Sequence, residues 1–274
     1  MLPSIRRCLY VALPLFFLLT GLATPQNVTP EEVVARAAKN ELAPAGGHPF
    51  RYTLRKVDDG KITTKEIIET KDGDVARLIA IDDKPLPPDA EAAEIQRLQT
   101  LLAHPEIQAH RRKKEQADAD RANEMIRLLP TAFLYKFEGM VDGPNGPCYR
   151  LTMRPNPSFT PPDREAEVYH GMAGELWIDQ KQERMVKLNV HLIDDVNFGW
   201  GIVSKLFKGG TIVVSQRDVG DHWEQDILRL NLTGRILLIK SLNIDTTEQE
   251  SNFSPVPADW TYQDAVRALL NEKH

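Results

Sequence analysis

The stretch GELWIDQKQERMVKLNV, residues 174–190, decides the architecture. Leu176 and Ile178 alternate with Glu175, Trp177 and Asp179. After QKQE at 180–183, Val186, Leu188 and Val190 alternate with Lys187 and Asn189. Alternation of period two is the mark of a strand with one buried face. Four polar residues between two such strands cannot hold the helical crossover that a parallel pair requires. The unit is an antiparallel hairpin, and its neighbours repeat it.

Upstream, FRYTLRKV (50–57) alternates Phe50, Tyr52 and Leu54 with Arg51, Thr53 and Arg55. Asp59-Gly60 turns into KITTKEIIET (61–70), and Asp72-Gly73 turns again into DVARLIAI (74–81). Before these strands, TPEEVVARAAKNE (29–41) predicts a helix. Thr29 is its N-cap, Pro30 occupies the first position, and Glu31 and Glu32 suit the positive helix end. Residues 88–129 then switch to helical spacing and high charge, with Ile95, Leu98 and Leu102 as a stripe and HRRKKEQADADR at the centre. From Thr131 the strands return: AFLYKFEGMV, CYRLTMRP, the 174–190 hairpin, TIVVSQRDVG, DHWEQDILRLNL and RILLIKSLNIDTTEQE. DWTYQDAVRALL forms a closing amphipathic helix. The fold class expected is α+β, mainly β: an antiparallel meander of eight or more strands, interrupted after its third by a helical insertion at 88–129. A sheet of that size curls, and an apolar concave face must be filled by side chains, a helix or a ligand.

Several chemistries fail on spacing. DVNFGWGIVSKLFKGGTIVV (195–214) holds four glycines, yet it lacks Gly-Lys-Ser/Thr, and the third glycine of a dinucleotide fingerprint is missing. Gly199 and Gly201 instead predict a bulge that bends a strand. The seven histidines are scattered, and His191 with Asp194 and Asp195 is the nearest approach to a ligand set, so no metal and no cofactor is expected. No G-x-S-x-G elbow occurs, so no catalytic residue is assigned, although a carboxylate pair could converge from distant strands. Trp177, Trp200 and Trp223, with Phe198 and Phe207, fall on successive parts of the later sheet and would suit an apolar lining.

The amino terminus, MLPSIRRCLYVALPLFFLLTGLATPQ, sets Arg6 and Arg7 before an apolar run broken by Pro14. Small residues at 21–23 follow. That is the form of a cleaved signal peptide, residues 1–23. The run is too short for a membrane span, which needs about 20 residues. The mature chain, 24–274, is then a single domain without a transmembrane segment, exported to the periplasm or secreted. It keeps one cysteine, Cys148, and so has no internal disulfide. The formal charge of −5 becomes −7 once Arg6 and Arg7 are removed, which argues against nucleic acid as a partner.

The order of amino-terminal helix, meander, GELWID…ERMVKL and a bent glycine-containing strand resembles the outer-membrane lipoprotein-sorting proteins, the LolA/LolB-like superfamily. The resemblance implies an incomplete, half β-barrel with helices plugging its open side and acyl chains sheltered between them. No individual functional residue is carried over from it, and the 88–129 insertion and the loop at 155–162 depart from it. The leading expectation is therefore a non-catalytic carrier or binding protein for a lipid, acyl chain or lipoprotein. Its apolar cavity would be lined by Phe50, Tyr52, Leu54, Leu176, Ile178, Leu188 and Val190, with Phe198 and Trp200. Two alternatives stand beside it: an envelope sensor or scaffold that binds a protein through 88–129, and a groove-based hydrolase.

Overall fold

A computed structural model describes residues 28–43, 48–198, 204–220, 223–237 and 240–272. The leader at 1–23, the bend at Gly199 and Gly201, and Trp200 lie outside the described residues. Chain order runs α1 (Pro30–Glu41), β1 (Phe50–Asp58), β2 (Lys61–Ile68), β3 (Val75–Ile81), β4 (Lys84–Pro85), α2 (Pro88–Ala103) and α3 (Pro105–Ala132). Next come β5 (Phe133–Gly143), β6 (Gly146–Pro155), a 3-10 turn (Ala166–Gly171), β7 (Met172–Asp179) and β8 (Met185–Leu192). The chain ends with β9 (Val196–Phe198), β10 (Ser204–Leu206), β11 (Thr211–Asp218), β12 (Trp223–Ile236), β13 (Lys240–Pro255) and α4 (Tyr262–Asn271). Helix α1 begins where the sequence predicts it. Thr29 Oγ1 accepts from the Glu32 N–H, and Glu32 reaches back to the Thr29 N–H, a complete capping box. Thr261 and Asp264 build the same device at α4.

The sheet is antiparallel throughout and mostly follows the chain, with one departure from a simple meander. Its order is β4-β3-β2-β1-β13-β12-β11-β8-β7-β6-β5, so the first strand docks on the last. Leu54 faces Glu250 and Lys56 faces Glu248 across that junction. The helical insertion thus does not join two neighbouring strands; it carries the chain from the β4 edge to the β5 edge. Helix α3 alone, with 28 residues, spans about 42 Å at 1.5 Å per residue.

Cross-strand partners assign the two faces. Leu176, Leu188, Val214, Leu228, Glu248, Lys56 and Thr63 succeed one another directly across seven strands and therefore share one face. On this inner face, α1, the end of α3 and the 3-10 turn cover the β5–β8 half. Leu151, Leu176, Ile178 and Val190 form the main core there. The opposite face of β2 and β3 presents Ile68 and Val75 to α2 and α4, a second core completed by Leu98, Leu101, Val266 and Leu269. The helices are thus divided between the two faces, and α4 does not lie over the inner one. Arg77, almost fully buried, donates to the carbonyls of Leu269 and Glu272 at the end of α4, and Arg51 pairs with Glu272. Cations at a helix carboxyl end satisfy its orphan carbonyls.

The sheet curls without closing into a barrel. Asp74, on the β2–β3 turn, raises the pKa of Glu224 on β12. In a flat sheet, four strand steps at about 4.8 Å would hold those strands roughly 19 Å apart, beyond effective reach in salt. Bulges at Ser215/Gln216 and Arg51/Thr53 mark places where the sheet bends.

Leu176 is fully buried beneath α1. Its replacement by Ala should lower unfolding stability by about 2–5 kcal/mol in a denaturant titration. A loss below about 1 kcal/mol would contradict a sealed inner core at that position.

Candidate functional site

The inner face has two unlike halves. Over β5–β8 it is closed: Leu176 and Ile178 are 0% exposed and Val190 is 1% exposed. Leu188 and Phe198 are half-buried against that core. Leu176, Ile178 and Val190 therefore hold the fold together and offer no surface to a ligand. Over β11, β12, β13 and β1 the cover is incomplete. Leu54, Val214, Leu228 and Leu230 are half-buried and belong to no core cluster. Val214, Leu228 and Leu230 adjoin across β11 and β12, whereas Leu54 on β1 is separated from them by Glu248 and Glu250 of β13; together they floor a trough, the less covered half of the inner face. Tyr52 lies on the same face of β1, and its ring stacks on Phe253 at 5.4 Å between centroids. Phe50 is buried against Phe253 edge to face.

Helix α3 crosses the open side with a polar middle. Gln116 through Asn123 are exposed, and Gln108 and Glu115 tie the helix to the β2–β3 turn. Gln108 donates to the Asp72 carbonyl at 3.1 Å, and Glu115 accepts from the Asp74 N–H at 3.3 Å. These ties explain how a helix with so little apolar surface keeps its place.

The trough is not uniformly apolar. On β1 and β13, Lys56 pairs with Glu248 at 3.0 Å, and the Thr246 hydroxyl donates to Asp58 at 2.8 Å. At the end facing the β2–β3 turn, three carboxyls come together. Burial, reinforced by Glu69 and Glu115 against the pull of Arg111, pushes Asp74 up to about 7. Burial and then Asp74, offset by Arg184, push Glu224 up to about 7. Glu250 rises to about 8, chiefly through burial and then Glu224, although it accepts from Gln225 at 3.4 Å. Burial first, and then these carboxyls, drives the Tyr52 phenol well above its ordinary value. The physical cause is common to all four: charge is costly where water is scarce and the neighbours are already negative.

Other candidates separate from the trough. Trp177 points away from Leu176 and Ile178 and lies under Lys187 at 4.9 Å. It joins Cys148, Val186 and Trp223 in a small cluster of their own. Burial pushes the Cys148 thiol up to about 11, so it is not a reactive thiolate. Asp195 is taken by Lys205 at 2.7 Å and by the Lys208 N–H at 2.9 Å, and His191 is exposed. Sequence reasoning missed Val214, Leu228 and Leu230, although the alternation of ILRLNL contains two of them. It also missed Asp74, Glu224 and Glu250, which no local motif connects.

No protein-family model and no curated protein matches the chain. Two solved structures are similar in arrangement. One is described as an outer membrane lipoprotein-sorting protein domain from Vibrio parahaemolyticus. It is 10% identical, the match covers 88% of this chain and 98% of that one, and the TM-score is 0.31. The other is a DUF1329 family protein from Desulfovibrio piger, 10% identical over 82% of this chain and 91% of that one, with a TM-score of 0.27. The first is of the kind that the 174–188 pattern resembles. At these values neither likeness carries an argument about function.

The carboxyls give the site a pH signature. With folded pKa values of about 7, 7 and 8, the folded chain holds protons that the unfolded chain has released. Their contribution is complete below the ordinary carboxylate range near 4 and is lost as pH rises through 7 and 8. Unfolding free energy should therefore fall from pH 5 to pH 8, and Glu250→Gln should flatten the upper part of that fall. A variant profile parallel to the wild type, with the same slope above pH 6, would remove Glu250 from the set.

Proposed function

We propose that the chain is an exported, non-catalytic carrier or binding protein that shelters an acyl chain in the trough. The observation that supports this is the patch Val214, Leu228 and Leu230, with Leu54 beyond Glu248 and Glu250 of β13. It is an aliphatic patch left half-buried in a sheet whose other half is sealed. Each methylene laid on such a floor contributes about 0.8 kcal/mol. The ligand class is a lipid, an acylated molecule or a lipoprotein acyl chain, with a neutral or cationic head facing Glu224 and Glu250. On this reading residues 1–23 are removed on export, 24–274 work as one domain, and the site of action is the periplasm or the medium. No helix among the described residues is long and apolar enough to cross a membrane.

A second reading has one observation in its favour. Asp74, Glu224 and Glu250 gather three carboxyls at one end of a groove, and groups protonated near neutrality can serve as general acids. Hydrolysis in the groove would need such an acid, and Glu250→Gln would then abolish turnover while leaving acyl binding in place.

Pyrene-labelled monoacylglycerols of increasing chain length test the carrier reading. Affinity should rise about fourfold per methylene until the trough is filled. Leu228→Glu should weaken binding at least tenfold, since it sets a charge on the floor, with little change in melting temperature. Affinity independent of chain length, or unaffected by Leu228→Glu, would rule the trough out.

A further inference from the structure

Two stretches of the chain, 196–217 and 227–244, contain no acidic residue, although the whole chain carries a formal charge of −5. They hold Lys205, Lys208, Arg217, Arg229, Arg235 and Lys240. Strand pairing brings parts of both to one end of the sheet. Lys205 faces Arg235 between β10 and β12, and Ile236 faces Lys240 across the β12–β13 turn. The carboxyls of the trough lie at the other end of the same strands. Glu224, near the start of β12, is about 40 Å from Ile236 along the strand at 3.3 Å per residue. Strand β12 thus has carboxyls at one end and cations at the other.

The cations at the turn keep their charge available. Arg235 and Lys240 are exposed and have no ion pair among the described residues. Lys205 pairs with Asp195 at 2.7 Å. Lys205 and Arg235 both lie over the half-buried ring of Phe207, at 6.0 and 5.7 Å from its centroid. A ring attracts a cation without neutralising it.

The turn itself begins with Leu237. It is 63% exposed, the most exposed large apolar side chain among the described residues. Its φ is +51°, a region in which a bulky side chain is an outlier. The other non-glycine residues with positive φ, among the described residues, are Asp, Glu or Asn. A turn that faces only water is served by glycine or asparagine at such a position. Leucine there accepts backbone strain and gains no burial, so folding alone does not account for it. An exposed leucine among cations matches a surface that is anionic at its face and apolar beneath. That is the chemistry of a lipid bilayer, where apolar side chains enter the acyl boundary and Lys and Arg stay with the headgroups.

We propose that the β12–β13 turn docks the protein on a bilayer containing anionic lipid, with Leu237 inserted and Lys205, Arg235 and Lys240 around it. The docking does not depend on the acyl-chain reading of the trough, since none of these residues floors it. The carboxyls at the far end of β12 then sit many screening lengths from the surface, the field of which decays over about 8 Å at physiological salt.

Co-sedimentation with mixed phosphatidylglycerol–phosphatidylcholine vesicles, against pure phosphatidylcholine vesicles, tests the docking. The protein should bind the anionic vesicles, and added salt should weaken binding. Arg235→Gln combined with Lys240→Gln should weaken it about thirtyfold, at about fivefold for each cation near an anionic surface. Leu237→Gly should weaken it about tenfold, with the melting temperature held or raised, because glycine accepts the positive φ. A fall in melting temperature of more than about 4 °C in Leu237→Gly would give the leucine a structural role and overturn the proposal. Equal binding to both vesicle types, binding to neither, or binding that ignores either variant also overturns it. Binding lost in Leu228→Glu but kept in both turn variants overturns it too, and assigns the lipid to the trough.

Discussion

The pairing of β1 with β13 is the constraint from which the rest of the structure follows. By docking on the last strand, the first hairpins leave β4 at one end of the sheet and β5 at the other. The 88–132 helices are the only covalent link between those ends, so they must cross the molecule. Their length, polarity and anchoring then make sense together. Helix α3 needs anchoring only toward its ends, where Gln108 hydrogen-bonds to the β2–β3 turn and Leu129 joins the main core. Its middle can be charged because it spans a gap, and opposite charges three residues apart, Asp118 with Arg121 and Glu124 with Arg127, support it locally.

That crossing also explains why the inner face divides. A single helix of ordinary width covers about 10 Å of sheet, and α1 already occupies the β5–β8 half. Over β11–β13 and β1 no helix packs closely on the sheet among the described residues. A sealed core is not built there, since the exposed polar middle of α3 offers no apolar stripe to meet Leu228 and Leu230. The chain accepts half-buried aliphatic residues there, and it places ionisable groups, Lys56, Glu248 and Glu250, among them. A polar strap over a mixed floor admits a ligand with an apolar part and a polar part more readily than a purely hydrophobic one.

Much of this was legible in the residues. Period-two alternation placed the 50–57 and 174–190 strands and gave each an apolar face; that Leu54 shares a face with Leu176 and Leu188 comes from the strand pairing, not from alternation. Capping chemistry located α1 to the residue. Three features were not legible, each for a definite reason. The β1–β13 junction is non-local, and nothing in FRYTLRKV or TTEQES names its partner. Burial of Leu176, Ile178 and Val190 depends on where α1 comes to rest, and an alternating strand reads the same whether its apolar face meets a helix or a cavity. The carboxyl cluster draws Asp74, Glu224 and Glu250 from a turn and two strands, residues that look like ordinary surface acids until the curl of the sheet brings them together.

An unsatisfied atom on α3 extends the same logic beyond the trough. A helix placed by its ends is held by polar ties, and polar ties leave remainders: Gln108 spends its two N–H donors on the turn and has an acceptor left over. In an apolar interface no such remainder would exist, because shape alone would fix the helix. Here the device that lets a polar helix cross the molecule also leaves a buried amide oxygen without a partner among the described residues.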